Sequence, residues 1–148
     1  LDLLSWIIGE NPSSVRAICQ YGKWHDIEVE DDVTAFFKYK NGAIADLSSA
    51  VLLRKPNEGY VYGSKGYAHL QRFYAPQKIE IYLNNGERQT VSAPYKGNGF
   101  EEQITHFSEC VLNGLKESPV VTREQTLYIT EQMDKLRNII GLKYPQDK

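Results

Sequence analysis

The sequence predicts an α+β two-layer domain: a large, mostly antiparallel open sheet with helices on one face. Three observations carry this. Asn41–Gly42 and Asn85–Gly86 each sit between runs of alternating polarity, which marks two β-hairpins. Gly63–Ser64–Lys65–Gly66 lies between two β-rich runs and reads as strand, turn, strand. After residue 98 the apolar period changes from two to 3.6, and two amphipathic helices close the chain.

The elements follow in order. Leu1–Gly9 is apolar and ends in Gly9 before Asn11–Pro12, a helix C-terminus with no N-terminal cap. It is expected to be the last two turns of a longer helix, and the chain a piece of a larger protein. Ser13–Cys19 follows as a strand, with Val15, Ala17 and Cys19 on one face. Tyr21–Asp32 reads as a long connection holding Trp24 and His25. Its acidic run Glu28–Asp32 is expected to be a solvated loop.

The first hairpin pairs Val33–Tyr39 with Ala43–Leu53 through a two-residue type I′ turn at Asn41–Gly42. Phe36 and Phe37 point to opposite faces, as do Leu52 and Leu53, so both faces of the sheet require cover. Gly63–Gly66 is no phosphate loop, because the order is Gly-Ser-Lys-Gly and no helix follows. The second hairpin, Lys78–Leu83 with Arg88–Ala93, is more polar and suits a sheet edge.

Asn98 and Glu101 form a capping-box pattern ahead of the first closing helix. Phe100, Ile104, Phe107 and Val111 are its expected core stripe, with Gly114 as terminator. On that placement, truncating Phe107 to alanine costs about 3–5 kcal/mol. The second closing helix starts at Thr122, carries Gln125 at its third position, presents Ile129, Met133, Leu136 and Ile140, and ends at Gly141.

Composition narrows the function. The 148 residues fit one domain. The net charge is −2 without a basic cluster, which argues against nucleic acid and membrane-surface partners. No apolar run is long enough for a transmembrane helix, and two distant cysteines, Cys19 and Cys110, suit free thiols in a reducing, cytoplasmic compartment. His25, His69 and His106 share no metal-ligand spacing, so no metal is expected. There is no nucleophile elbow and no Gly-x-Gly-x-x-Gly, hence no catalytic or cofactor-binding residue to assign. The candidates for substrate contact are Trp24 and His25 in the long loop, and Arg54 and Lys55 where the long strand ends.

The order of motifs resembles the Gfo/Idh/MocA family. The residues that carry it are Leu1–Gly9 with Asn11–Ala17, Glu30–Asp32 before a strand ending Tyr39–Ala43, Gly63–Gly66, Phe100–Phe107, Ser118–Pro119 and the helix ending at Gly141. The resemblance implies the C-terminal domain of a Rossmann-containing dehydrogenase over 1–148. It implies hydride transfer between NAD or NADP and a sugar, polyol or related hydroxyl compound in the full-length protein, with no cofactor held by this chain. Asp2–Leu3–Leu4 matches the Asp-Leu-Leu that follows the family's catalytic histidine, so that histidine and the catalytic lysine would lie upstream. It further implies that the open sheet face joins subunits into a homo-oligomer, with the Tyr21–Asp32 loop and Leu53–Lys55 facing a small-molecule substrate. The competing possibility is a non-catalytic sugar-binding or assembly module.

Overall fold

A computed structural model describes residues 1–21, 29–144 and 146. The order is α1 (Asp2–Ile8), β1 (Ser14–Tyr21), β2 (Glu30–Lys38), β3 (Ile44–Ala50), β4 (Glu58–Gly63), β5 (Gly66–Gln71), β6 (Lys78–Leu83), β7 (Arg88–Ser92), α2 (Glu101–Leu112) and α3 (Arg123–Ile140). The α+β class stands, and every strand pairing among the described residues is antiparallel. The strands form two sheets, one of order β1-β2-β3 and one of order β4-β5-β6-β7. The chain divides accordingly into a first unit, Leu1–Lys55 with Pro119–Lys148, and a second, Pro56–Ser118.

In the first unit, alternation along β2 buries Ala35 and Phe37 and leaves Phe36 exposed, as period two demands. Ala35, Phe37 and Tyr39 form the core, with Val15 and Ala17 of β1, Ala45 and Leu47 of β3, Leu4 and Ile8 of α1, and Leu136 of α3 packed around them. The α1 helix ends as expected, with Gly9 at φ 72 and its N–H on the Ser5 carbonyl at 3.0 Å.

Thr122 caps α3, its hydroxyl accepting from the Gln125 N–H at 3.1 Å. Gly141 closes the helix, and the Leu142 N–H reaches the Arg137 carbonyl at 3.0 Å. Tyr21 adds a donor to the Ile140 carbonyl at 2.7 Å, satisfying one of the helix's open carbonyls from β1. The inward stripe of α3 departs from expectation at one position. Gln132 is buried and Met133 is 53% exposed.

The hairpin turn also differs. Among the described residues Arg72 is the sole non-glycine with positive φ, so Asn41 does not adopt the type I′ shape. Instead Gly42 (φ 92) donates to the Tyr39 carbonyl, and the Asn41 side chain accepts from the Ala43 N–H at 2.9 Å. This is a three-residue loop with one left-handed glycine. The second hairpin repeats it: Gly86 donates to the Leu83 carbonyl and the Asn85 side chain accepts from the Glu87 N–H. The acidic run is not a solvated loop where it is described. Glu30–Asp32 opens β2 and Asp31 is buried. The strand after Gly42 stops at Ala50, leaving Val51, Leu52 and Leu53 all exposed beyond it.

In the second unit, Gly63–Gly66 is the tight turn between β4 and β5. A Cβ on Gly66 would lie 2.0 Å from the Tyr82 carbonyl oxygen, so close strand approach excludes a side chain there. The β7 strand is exposed throughout and forms the sheet edge.

The cap of α2 is shifted from the predicted box. Asn98 does not cap the first turn; its side chain accepts from the Phe100 N–H. The Glu101 carboxylate reaches back to the Gly97 and Gly99 N–H groups at 2.6 and 2.9 Å, and its own backbone N–H first, then those of Gly97 and Gly99, hold its pKa below the ordinary value. Gly114 terminates the helix as expected, with φ 68 and the Leu115 N–H on the Cys110 carbonyl.

The predicted stripe of α2 is not buried: Ile104 and Phe107 are 61% and 70% exposed. The helix instead turns His106 and Cys110 inward, toward the Ser118 hydroxyl at 2.7 Å from His106 Nε2. Periodicity identifies an apolar face, but only a docking partner makes it a core.

Candidate functional site

The four residues expected at the substrate divide in two. Trp24 and His25 lie outside the described residues. Arg54 and Lys55 follow β3 at one end of the first sheet. The register puts Gln20, Asp32 and Ala50 side by side at that end, where β1 finishes at Tyr21 and β2 begins at Glu30. Topology therefore gathers the Leu53–Lys55 turn, the end of β1 and the start of β2 at one sheet end, although they are distant in sequence.

Arg54 is exposed. Lys55 is engaged: its Nζ lies 2.8 Å from Asp32 Oδ1 and 2.5 Å from the Ser48 hydroxyl. With both side chains about one-third exposed, the ion pair contributes at most about 1 kcal/mol. Its larger effect is geometric, because it ties the Leu53–Lys55 turn to β2 and β3. A polar ligand at this sheet end would meet a paired lysine and an unconstrained arginine. His106 Nε2 lies 2.7 Å from the Ser118 hydroxyl, and His69 sits among the strands of the second sheet with its Nε2 3.0 Å from Glu58 Oε2.

Sequence reasoning missed a second constellation. On one face of the second sheet, β4 contributes Glu58, Tyr60 and Tyr62. The register sets them beside His69 and Tyr67 of β5, Glu80 and Tyr82 of β6, and Arg88 of β7. Tyr60 stacks on His69 at 4.5 Å and Tyr67 on Tyr82 at 4.8 Å, while the Arg88 guanidinium lies 5.2 Å from the Tyr82 ring centre. The Tyr60 hydroxyl donates to Glu58 at 2.9 Å, and His69 Nε2 lies 3.0 Å from the same carboxylate. These two bonds, Tyr60 first, hold the Glu58 pKa below its ordinary value, and Glu58 in turn raises that of Tyr60.

The signal was present as Glu-x-Tyr-x-Tyr and Tyr-x-His at period two, but its assembly needed the register of four strands. The rings stack on one another, so the faces a sugar ring would use are largely taken. The face is rich in tyrosine, with Arg88 beside Tyr82 at its β7 edge.

Among the described residues no group of His, Cys, Asp and Glu could hold a metal, and no helix is long and apolar enough to cross a membrane. The Gly63–Gly66 loop joins two antiparallel strands and opens no helix. Fold and site together describe strands and helices with an aromatic face on the second sheet and a polar end on the first.

Residues 1–69 match the family described as the GFO/IDH/MocA C-terminal domain. Trans-1,2-dihydrobenzene-1,2-diol dehydrogenase from Mus musculus is 31% identical over 157 residues, covering 100% of this chain and 45% of that protein. The Bos taurus enzyme of the same name is 28% identical, with 46% of it covered. Aldose-aldose oxidoreductase from Caulobacter crescentus, solved with glycerol, superposes with a TM-score of 0.78 at 26% identity, over 95% of this chain and 42% of that one. Biliverdin reductase from Synechocystis, solved with biliverdin and NADP+, has the same fold at 17% identity, with a TM-score of 0.72 and coverage of 95% and 43%. The chain is thus similar to the C-terminal domain of the Gfo/Idh/MocA family and to dehydrogenases and oxidoreductases over their matching part. It spans less than half the length of the curated relatives it matches.

Proposed function

We propose that this chain is the substrate-side and assembly domain of an NAD(P)-dependent oxidoreductase acting on a sugar, polyol or related hydroxyl compound. The observation that carries the reading is the full-length match of this chain to a dehydrogenase of a vicinal diol. It is joined by similarity to an aldose oxidoreductase solved with glycerol. In this reading the cofactor and the catalytic groups come from sequence upstream of α1. The chain's own share is the sheet end at Arg54 and Lys55, which forms part of the substrate wall. Lys55, already paired with Asp32, positions the turn, and Arg54 is the group able to meet a substrate oxygen.

The test uses the full-length protein with NAD+ and NADP+ against trans-diols, aldoses and polyols. Reduction of the nicotinamide with at least one of these classes is expected. A full-length protein that binds sugars but reduces neither cofactor would establish the non-catalytic alternative. The isolated chain should bind neither dinucleotide by calorimetry, and micromolar binding would overturn the division of labour.

The tyrosine face of the second sheet is the proposed subunit contact. Tyr62, 75% exposed at the end of the stacked row, is its most accessible aromatic group. Light scattering of the full-length protein should show an oligomer that Tyr62→Glu weakens at least about tenfold, the scale of a charge set into an aromatic contact. A strictly monomeric wild type would remove this part of the proposal.

A further inference from the structure

We infer that Gln125 is a positioning residue, one that sets the placement of α1 and of the chain entering it. The inference rests on the reading above, in which the reacting groups lie upstream of α1. At the third position of α3, after a threonine cap, glutamine would ordinarily fold back onto the cap's own N–H. It does not. Its backbone N–H takes the Thr122 hydroxyl, while its side-chain Nε2 crosses to α1, donating to Ser5 Oγ at 2.6 Å and to Asp2 Oδ1 at 3.1 Å. The Ser5 hydroxyl in turn donates to the Asp2 carbonyl at 2.7 Å, so one amide gathers both ends of the first helical turn.

Such a clamp matters because α1 is poorly held otherwise. It has seven residues and none of them is fully buried. Its apolar contacts run through Leu4 and Ile8, with Leu1 just ahead of the helix. Contacts of that kind resist lifting more than they resist sliding or rotation, since apolar packing is weakly directional. Two directed hydrogen bonds from a capped, 18-residue helix supply the missing orientation. The polar cleft between the helices, about 250 Å³ and lined by Ser5, Asn11, Thr122, Gln125 and Tyr128, keeps the bonded groups beside water rather than in the core. The clamp therefore defines direction more than stability.

Gln125→Glu separates this role from simple capping. A carboxylate at the third position is at least as good as an amide for the helix start, so a purely capping role predicts no loss. The clamp predicts the opposite, because a carboxylate cannot donate to Asp2 and repels it. Asp2→Asn in the same molecule restores a donor–acceptor pair with reversed polarity.

In the full-length protein, hydrogen exchange over Asp2–Ile8 should rise by about tenfold in Gln125→Glu while β1–β3 stay unchanged. The value of kcat should fall about tenfold with KM within about twofold, the scale of a small misplacement of a reacting group. Both should return to within about threefold of wild type in the double variant. Unchanged exchange in α1 overturns the clamp. Raised exchange with unchanged kcat overturns the positioning of a reacting group. A wild-type protein without dinucleotide-dependent turnover sinks the functional reading and the positioning of a reacting group with it, whereas the α1 exchange still decides the clamp.

Discussion

The two units use the same local grammar and end with different interiors. Each is an antiparallel sheet, and each contains a hairpin closed by one left-handed glycine and an asparagine side chain accepting from the residue two ahead. In the first unit two helices cover one sheet face, and Phe37 is 2% exposed. In the second, Leu70 is the one buried strand residue and the helix turns its apolar stripe outward. The contrast teaches that strand and turn signals specify a sheet, whereas a core requires an amphipathic helix docked on it. The second unit leaves Tyr60, Tyr62 and Phe107 exposed.

The comparison can be broken most directly with two phenylalanines. Phe37→Ala should destabilise the chain by about 3–5 kcal/mol in chemical denaturation, whereas Phe107→Ala should cost less than about 1 kcal/mol. Equal losses would mean that the α2 stripe is packed after all, and the two units alike.

A smaller effect sharpens the electrostatic side. Because the folded-state pKa of Glu58 is lowered, its contribution is complete above the ordinary carboxylate value of 4.5 and is lost as pH falls through the folded value below that. Near-ultraviolet circular dichroism from the tyrosine row should therefore change in this acid range, and Glu58→Gln should remove that step. A wild-type signal flat through the acid range would show that the Tyr60 and His69 bonds do not hold the carboxylate.

Much of the molecule was legible from residues alone, for a physical reason. Helix ends at Gly9, Gly114 and Gly141, the cap at Thr122 and the turn at Gly63–Gly66 all act through partners a few positions away. Local sequence contains both halves of each interaction. The expected type I′ turn failed within that same range, because Asn41 could satisfy the chain with its side chain instead of a positive φ. The candidate site was less legible. The sequence placed Arg54 and Lys55 at a strand end, but not the Asp32 carboxylate that engages Lys55, because that contact depends on the pairing of β2 with β3.

Sequence by itself determined the α+β class, the order of strands and helices, the glycine-terminated helix ends and the family resemblance. Tertiary structure alone decided that the strands divide into two sheets, that Gln132 rather than Met133 faces inward, and that three strands bring their tyrosines onto one sheet face. It alone turned the α2 stripe outward and sent the Gln125 side chain to α1. Each of these is settled by register or docking between segments far apart in the chain, and no periodicity in one segment records which surface another will bring to it.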